Sequence, residues 1–343
     1  MPSEELTPEA TIATAGEHEL IRRIRARLGP APDWLIVDVG DDAAVYEPQR
    51  NALEVITTDA IVEGVHFDRA FTPPSAIGHR ALAVNLSDLA AMGAEPRLAT
   101  VSMALPDTLS LQHFDAIIDG LLALAESTRI RIVGGNITAT AGPLVVDITA
   151  VGTVARRRVL TRAGARPGNY VFVSGTLGDA RAGLAQLRAH PGSEGGRASE
   201  LVARYLQPEP RLRLGQQLGR QQAATSAIDL SDGLADGLHR LAESSGVGFD
   251  LDAATIPVRD EAGRYWRDVD RDPIKEAVAG GDDYELLFTV HPRRLGRLRA
   301  VGRLIGGLKL TRIGTVTRAP RVDIIHRGGR REPVAGGYEH FAS

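Results

Sequence analysis

Short apolar runs that break off at acidic turns set the tightest limit on how this chain can fold. Trp34-Leu35-Ile36-Val37 leads to Gly40-Asp41-Asp42, and Leu53-Glu54-Val55-Ile56 leads to Thr57-Thr58-Asp59. Ser226-Ala227-Ile228 leads to Asp229-Leu230-Ser231-Asp232-Gly233, while Gly280-Gly281-Asp282-Asp283 precedes the apolar run Tyr284–Val290. Runs of this length, rich in β-branched residues, read as strands. Helical spacing fills the intervals: Leu20, Ile21, Ile24 and Leu28 from Glu17 up to Gly29-Pro30, then about Ala76–Met92, Asp179–Leu187, and a helix running to Glu243 that Ser231 or Asp232 caps. A long strand is expected over Leu144–Val154 and another strand over Tyr170–Ser174. Strand and helix alternate in both halves, so the expected class is α/β with mixed sheets, in two domains. Ligands of such folds gather at strand ends.

Carboxylates next to apolar sequence are costly unless something positive neutralises them. Asp42 and Asp59 are expected just past strands, and Asp88 lies inside a helix between Leu86 and Leu89, on a face shared with Asn85. At Asp229–Gly233 a strand ends and a helix begins, where backbone N–H groups attract phosphate. Val133-Gly134-Gly135-Asn136 reads as a glycine-rich turn through which backbone approaches a ligand closely. Oxygen-only donors suit hard cations such as Mg2+, and Mg2+ suits phosphates. Metal-dependent phosphoryl transfer follows as the expected chemistry. Neither the Gly-x-x-x-x-Gly-Lys loop nor a Gly-x-Gly-x-x-Gly fingerprint is present, so a nucleotide must be held by other means.

Composition removes several classes. The chain has 343 residues, enough for two domains, and no cysteine, which excludes disulfides, thiolate catalysis and Cys-ligated metal. Its net charge of −3 gives no broad nucleic-acid-binding surface, and Arg156-Arg157-Arg158 reads as a solvated patch. No run approaches the ~18 apolar residues that span a bilayer. No basic segment followed by an apolar one opens the chain, so a cytoplasmic location without membrane contact is expected. Residues 1–15 are polar and weakly patterned and read as a disordered leader, followed by an N-terminal domain over 16–155 and a C-terminal domain over 156–343.

Read in order, eight segments resemble the thiamine-monophosphate kinase family. They are Gly40-Asp-Asp-Ala-Ala-Val45, Thr57–Phe67, His79–Pro96, Leu160–Gly168, Val173–Asp179, Ala227–Leu234, Gly280–Leu286 and Gly337–Phe341. The resemblance implies the two-domain fold of the aminoimidazole-ribonucleotide-synthetase superfamily, with a homodimer formed through the N-terminal domain. It implies transfer of the ATP γ-phosphoryl group to thiamine monophosphate, assisted by several Mg2+ ions. Carried over by position, it makes Asp42, Thr57, Thr58, Asp59, Asp88, Asp229 and Asp232 metal ligands, together with the position of Asn136. Gly135, Asn136, Arg162 and Ser231 become ATP contacts, and His66, Asp282 and Tyr338 substrate contacts. No general base is implied. One position departs: the family turn reads Gly-Gly-Asp-Thr, and here it is Gly134-Gly135-Asn136-Ile137, which keeps an oxygen donor but loses its charge. Two alternatives stay open: another ATP-using member of the superfamily, or a catalytically weakened nucleotide-binding homologue.

Overall fold

The computed structural model describes residues 7–190 and 199–335. They form two compact units: one takes the chain up to Leu86 and Pro96–Thr153, the other Ser87–Glu95 and the chain from Val154 onward. The second assignment differs from a simple cut near residue 155 for a packing reason. Ala90 and Ala91 lie in one buried cluster with Leu160, Leu214 and Leu218 of the second unit.

The first unit begins earlier than its sequence suggests. Helix α1 (Ile12–Ala15) falls within the expected leader. Ile12 is buried, its N–H donates to the Leu109 carbonyl at 2.9 Å, and Thr11 bridges Ser110. A lone apolar residue in a polar stretch has found a docking place that local patterning could not reveal. Helix α2 (Glu17–Arg27) ends just before Gly29-Pro30. It is fastened to α4 (Leu111–Thr128) by Arg23–Asp115 and Arg27–Asp119 ion pairs.

Strands β1 (Leu35–Val37) and β2 (Val45–Tyr46) make a small antiparallel pair. The main sheet is formed by β3 (Leu53–Val62), β4 (Glu95–Pro106), β5 (Arg131–Thr140) and β6 (Val145–Val154), in the order β3-β6-β4-β5. Between β3 and β4 runs α3 (Pro74–Ala91), whose Ile77, Leu82 and Leu86 are wholly buried. The α3 and α4 backbones touch: a methyl group on Gly78 would stand 1.8 Å from the Ile117 carbonyl oxygen, and one on Gly120 1.9 Å from that of Ser75.

The second unit carries a seven-stranded sheet. Its strands are β7 (Tyr170–Ser174), β8 (Ser226–Asp229), β9 (Gly248–Asp252), β10 (Leu286–Val290), β11 (Leu310–Thr317), β12 (Val322–Ile325) and β13 (Arg331–Pro333), in the order β13-β12-β9-β11-β7-β10-β8. Among the described residues of this sheet, only β12 and β9 pair in parallel. Alternate residues serve two cores. Val171, Val173 and Leu287 enter one cluster, while Phe172, Leu286 and Phe288 enter the other. Helices cover both faces, which is why these strands read as unbroken apolar runs. Arg156–Arg158 form one exposed turn of 3-10 helix. Among the described residues, no helix is long and apolar enough to cross a membrane.

Candidate active site

In the first unit a cavity of about 950 Å³ opens between α2, α4 and the β4–β5 edge of the sheet. Asp41 and Asp42 reach it from the turn after β1, and Gly134, Gly135 and Asn136 reach it from β5. Leu98, Met103, Ile118 and Leu121 give it an apolar floor. From α2 come His18 and Arg25, the latter with its guanidinium laid against Gly40. An apolar pocket with a polar rim of this size is a common form for a small-molecule site.

Gly134-Gly135-Asn136 is not a turn, as its composition implied, but the middle of strand β5. It pairs in parallel with β4, Gly135 opposite Val101, and a methyl group on Gly135 would lie 1.9 Å from the Val101 carbonyl oxygen. The glycine therefore serves a close approach of two strands rather than a reversal of the chain. Just before it the register slips by one residue, and Ile132 and Val133 are both buried in succession. That is a bulge, which re-aims the following backbone toward the cavity.

Thr57, Thr58 and Asp59 are likewise mid-strand. β3 continues through Ala60-Ile61-Val62 instead of ending at Thr57, because that sequence keeps strand propensity. The Thr58 hydroxyl lies 3.1 Å from Asp147 Oδ1 and 3.2 Å from the Ile148 carbonyl, and accepts from Thr149 Oγ1 at 3.1 Å. Asp147, on β6, is an acid that a reading by turns overlooks, since it lies inside a strand. The Asp59 carbonyl accepts a 3.4 Å bond from the buried Asn85 side chain. His66 follows β3 in a tight turn, where its Nδ1 accepts the Val62 N–H at 3.1 Å. That bond puts the proton of the neutral ring on Nε2.

In the second unit, Asp229 closes strand β8 and Asp232 follows it three residues later. Asp88, expected alongside Asp42 and Asp59, falls in the segment that belongs to this unit. The neighbouring Ser87 Oγ donates to Asp229 Oδ2 at 2.8 Å, with both residues buried. Asp232 stands 3.9 Å from Arg240. Neither Ser231 nor Asp232 caps the following helix, Leu234–Ser245. Its N-cap is Gly233, at φ 95°, a backbone that L side chains avoid. Arg162 is exposed, and its carbonyl accepts from Ser245 Oγ.

The Gly280–Tyr284 turn docks on this segment. Asp282 N–H donates to the Ser231 carbonyl at 2.7 Å and Tyr284 N–H to the Leu230 carbonyl at 3.0 Å. The strand starts only at Leu286, because Asp282 (φ 68°) and Tyr284 (φ 50°) hold left-handed backbone. Such conformations cost on the order of 1–3 kcal/mol each and persist only where the surroundings enforce them. The residue between them is anchored. Buried Asp283 accepts N–H bonds from Gly178 (2.7 Å) and Ala180 (3.2 Å), at the start of α5 (Asp179–Ala189). Burial pushes its carboxyl up to about 8, against the pull of those two donors. Next to it, the fully buried Glu285 carboxylate accepts from Arg204, Arg211 and Ser174. Tyr338 lies outside the described residues.

Among the described residues, no three Asp, Glu or His side chains come together as the shell of one metal ion. The donor set still fits Mg2+, which keeps several waters and takes one or two carboxylates together with substrate phosphates. Asp42 and Asn136 both line the cavity and each offers a hard oxygen donor.

Family comparison gives this geometry a context. The AIR synthase related protein N-terminal domain matches residues 40–154, and the C-terminal domain of the same description matches 166–327. Thiamine-monophosphate kinase of Escherichia coli K12 is 38% identical over 334 residues, 96% of this chain and 99% of its own length. The crystal structure of the Stenotrophomonas maltophilia K279a thiamine-monophosphate kinase superposes with a TM-score of 0.80 at 37% identity, covering 91% of this chain and 96% of that one. AaThiL complexed with AMPPCP and TMP superposes with a TM-score of 0.75 at 32% identity, over 99% of this chain and 100% of that one. With identity sustained through both domains, this chain belongs to the thiamine-monophosphate kinase family.

Proposed function

We propose that this chain transfers the γ-phosphoryl group of ATP to the phosphate of thiamine monophosphate, releasing ADP and thiamine diphosphate. One observation carries the reading: near end-to-end similarity to a relative complexed with AMPPCP and TMP. The attacking phosphate oxygen is already ionised near neutral pH, since the second phosphate pKa is about 6, so no side chain has to remove a proton. The bond formed joins that oxygen to the γ-phosphorus as the bond to the β-bridging oxygen breaks. The chain's task is to bring two anions together in line.

In this reading the nucleotide phosphates run along Gly135 and Asn136, where the bulge in β5 turns backbone toward the cavity. Ser231 and Arg162 contact ATP as well. Asp282, His66 and Tyr338 contact thiamine monophosphate, and a tyrosine ring suits the cationic thiazolium. Asp42, Thr57, Thr58, Asp59, Asp88, Asn136, Asp229 and Asp232 would hold Mg2+. When bound, Mg2+ neutralises phosphate charge and aligns the reacting groups. The active form is a homodimer through the first unit, whose edge strand β3 leaves Ile56 72% exposed. The reaction is assigned to the cytoplasm, where its ATP is made.

The test is direct. Pure protein with ATP, Mg2+ and thiamine monophosphate should yield thiamine diphosphate and ADP in equal amounts. ATP binding without product overturns the transfer and leaves a weakened nucleotide-binding homologue, the reading that Asn136 favours. A sizing column tests the dimer.

A further inference from the structure

We propose that Asp283, which no contact assignment includes, is a positioning residue: from its buried seat on the N-terminus of α5 it sets the backbone that presents Asp282 to the substrate. The inference rests on the reading of Asp282 as a contact to thiamine monophosphate. Three observations carry it. Asp282 and Tyr284, on either side of Asp283, both have left-handed backbone, at φ 68° and 50°. Two of the three residues are therefore held where side-chain-bearing residues do not rest unaided. Next, the side chain between them is 3% exposed and spends both oxygens on one element, the Gly178 and Ala180 N–H groups. Lastly, Tyr284 Oη donates to Asp282 Oδ1 at 3.2 Å, so the backbone at Tyr284 also sets the direction of the Asp282 carboxylate.

The backbone bonds of the turn do a different task. The bonds from Asp282 N–H and Tyr284 N–H to Ser231 and Leu230 fix where the turn sits, but not how its middle residue is rotated. The adjacent α5 acid, Asp179, is engaged elsewhere, by Thr176 and Arg259. Asn in place of Asp283 keeps the shape but puts an NH2 group, which cannot accept, against one of the two N–H groups, whereas both oxygens of the acid, protonated or not, keep a lone pair for them.

Steady-state kinetics of the wild type, Asp283→Asn, Asp282→Asn and the double variant provide the test. Asp283→Asn should raise KM for thiamine monophosphate by about tenfold, as a displaced contact does, with KM for ATP nearly unchanged. In the double variant the Asp283 change should add nothing to the effect of Asp282→Asn. Equal changes in both KM values, or additive effects, overturn the proposal. If Asp282→Asn leaves KM for thiamine monophosphate unchanged, the substrate-contact reading of Asp282 falls, and this inference with it. Hydrogen exchange on the wild-type protein covers the case in which Asp283→Asn does not fold. Thiamine monophosphate should slow exchange at 280–284 and at the Gly178 and Ala180 amides together, and protection confined to 280–284 overturns the proposal.

Discussion

Gly135 approaches Val101 so closely that a methyl group on it would stand 1.9 Å from the Val101 carbonyl oxygen. Gly134, one residue earlier, has nothing within 4 Å of the same position. Gly135→Ala must therefore push β4 and β5 apart and should destabilise by about 2 kcal/mol or more. Gly134→Ala should stay within about 0.5 kcal/mol. Urea unfolding of the two variants, compared with the wild type, checks the contrast.

Glu285 is the anion that two arginines share next to the Gly280–Tyr284 turn. Its carboxylate is wholly buried, and the Arg204 and Arg211 side chains are 16% and 8% exposed. Glu285→Leu removes the buried counter-charge of Arg204 and leaves Arg211 only the exposed Glu209, 2.6 Å away, and should cost about 3–5 kcal/mol. Arg204→Leu leaves Arg211 as partner and should cost less. Chemical denaturation ranks them, and the reverse order would refute this account of the cluster.

Asn136 tests the metal reading. Asn136→Asp restores a charge on the cavity wall that Asp42 also lines, so half-saturation by Mg2+ should move down by about tenfold, the equivalent of ~1.4 kcal/mol. A Mg2+ titration of activity measures it, and an unchanged midpoint counts against Asn136 lying near the metal.

The Asp283 carboxyl gives stability a pH dependence with a definite sign. Burial, and then the Asp179 charge, raise it from 3.8 to about 8, while the Gly178 and Ala180 N–H groups and Arg204 oppose the rise. Between these values the folded chain binds more protons than the unfolded one, so stability from this group is full below pH 3.8 and lost as pH climbs to about 8. Asp283→Asn removes the linkage. The stability of the wild type minus that of the variant should fall from pH 5 to 8 and level off above. Thermal melts across that range check it, and parallel curves would exclude the linkage.

Local pattern carried much of this far. The strands Tyr170–Ser174 and Ser226–Asp229 and the helix from Glu17 to Arg27 stand where apolar spacing and Gly-Pro punctuation put them. Ile12, by contrast, carries no periodic signal, and its burial depends on Leu109, distant in sequence. The same holds for Ala90 and Ala91, whose partners lie beyond residue 155.

By itself, then, the sequence determined the residue chemistry: hard oxygen donors, glycines beside them, no thiols, and the order of motifs that marks the family. Tertiary structure alone decided what each motif does in space. Gly134-Gly135-Asn136 became a bulged strand because β4 lies against it, and Thr57-Thr58-Asp59 stayed inside β3 because β6 supplies partners such as Asp147 and Ile148. Ser87 met Asp229 because Ala90 and Ala91 bury in the second core, and the Gly280–Tyr284 turn took a left-handed backbone because α5 offers Asp283 two N–H donors. A residue's type is local, whereas its backbone state and its partners depend on contacts between segments far apart in the chain.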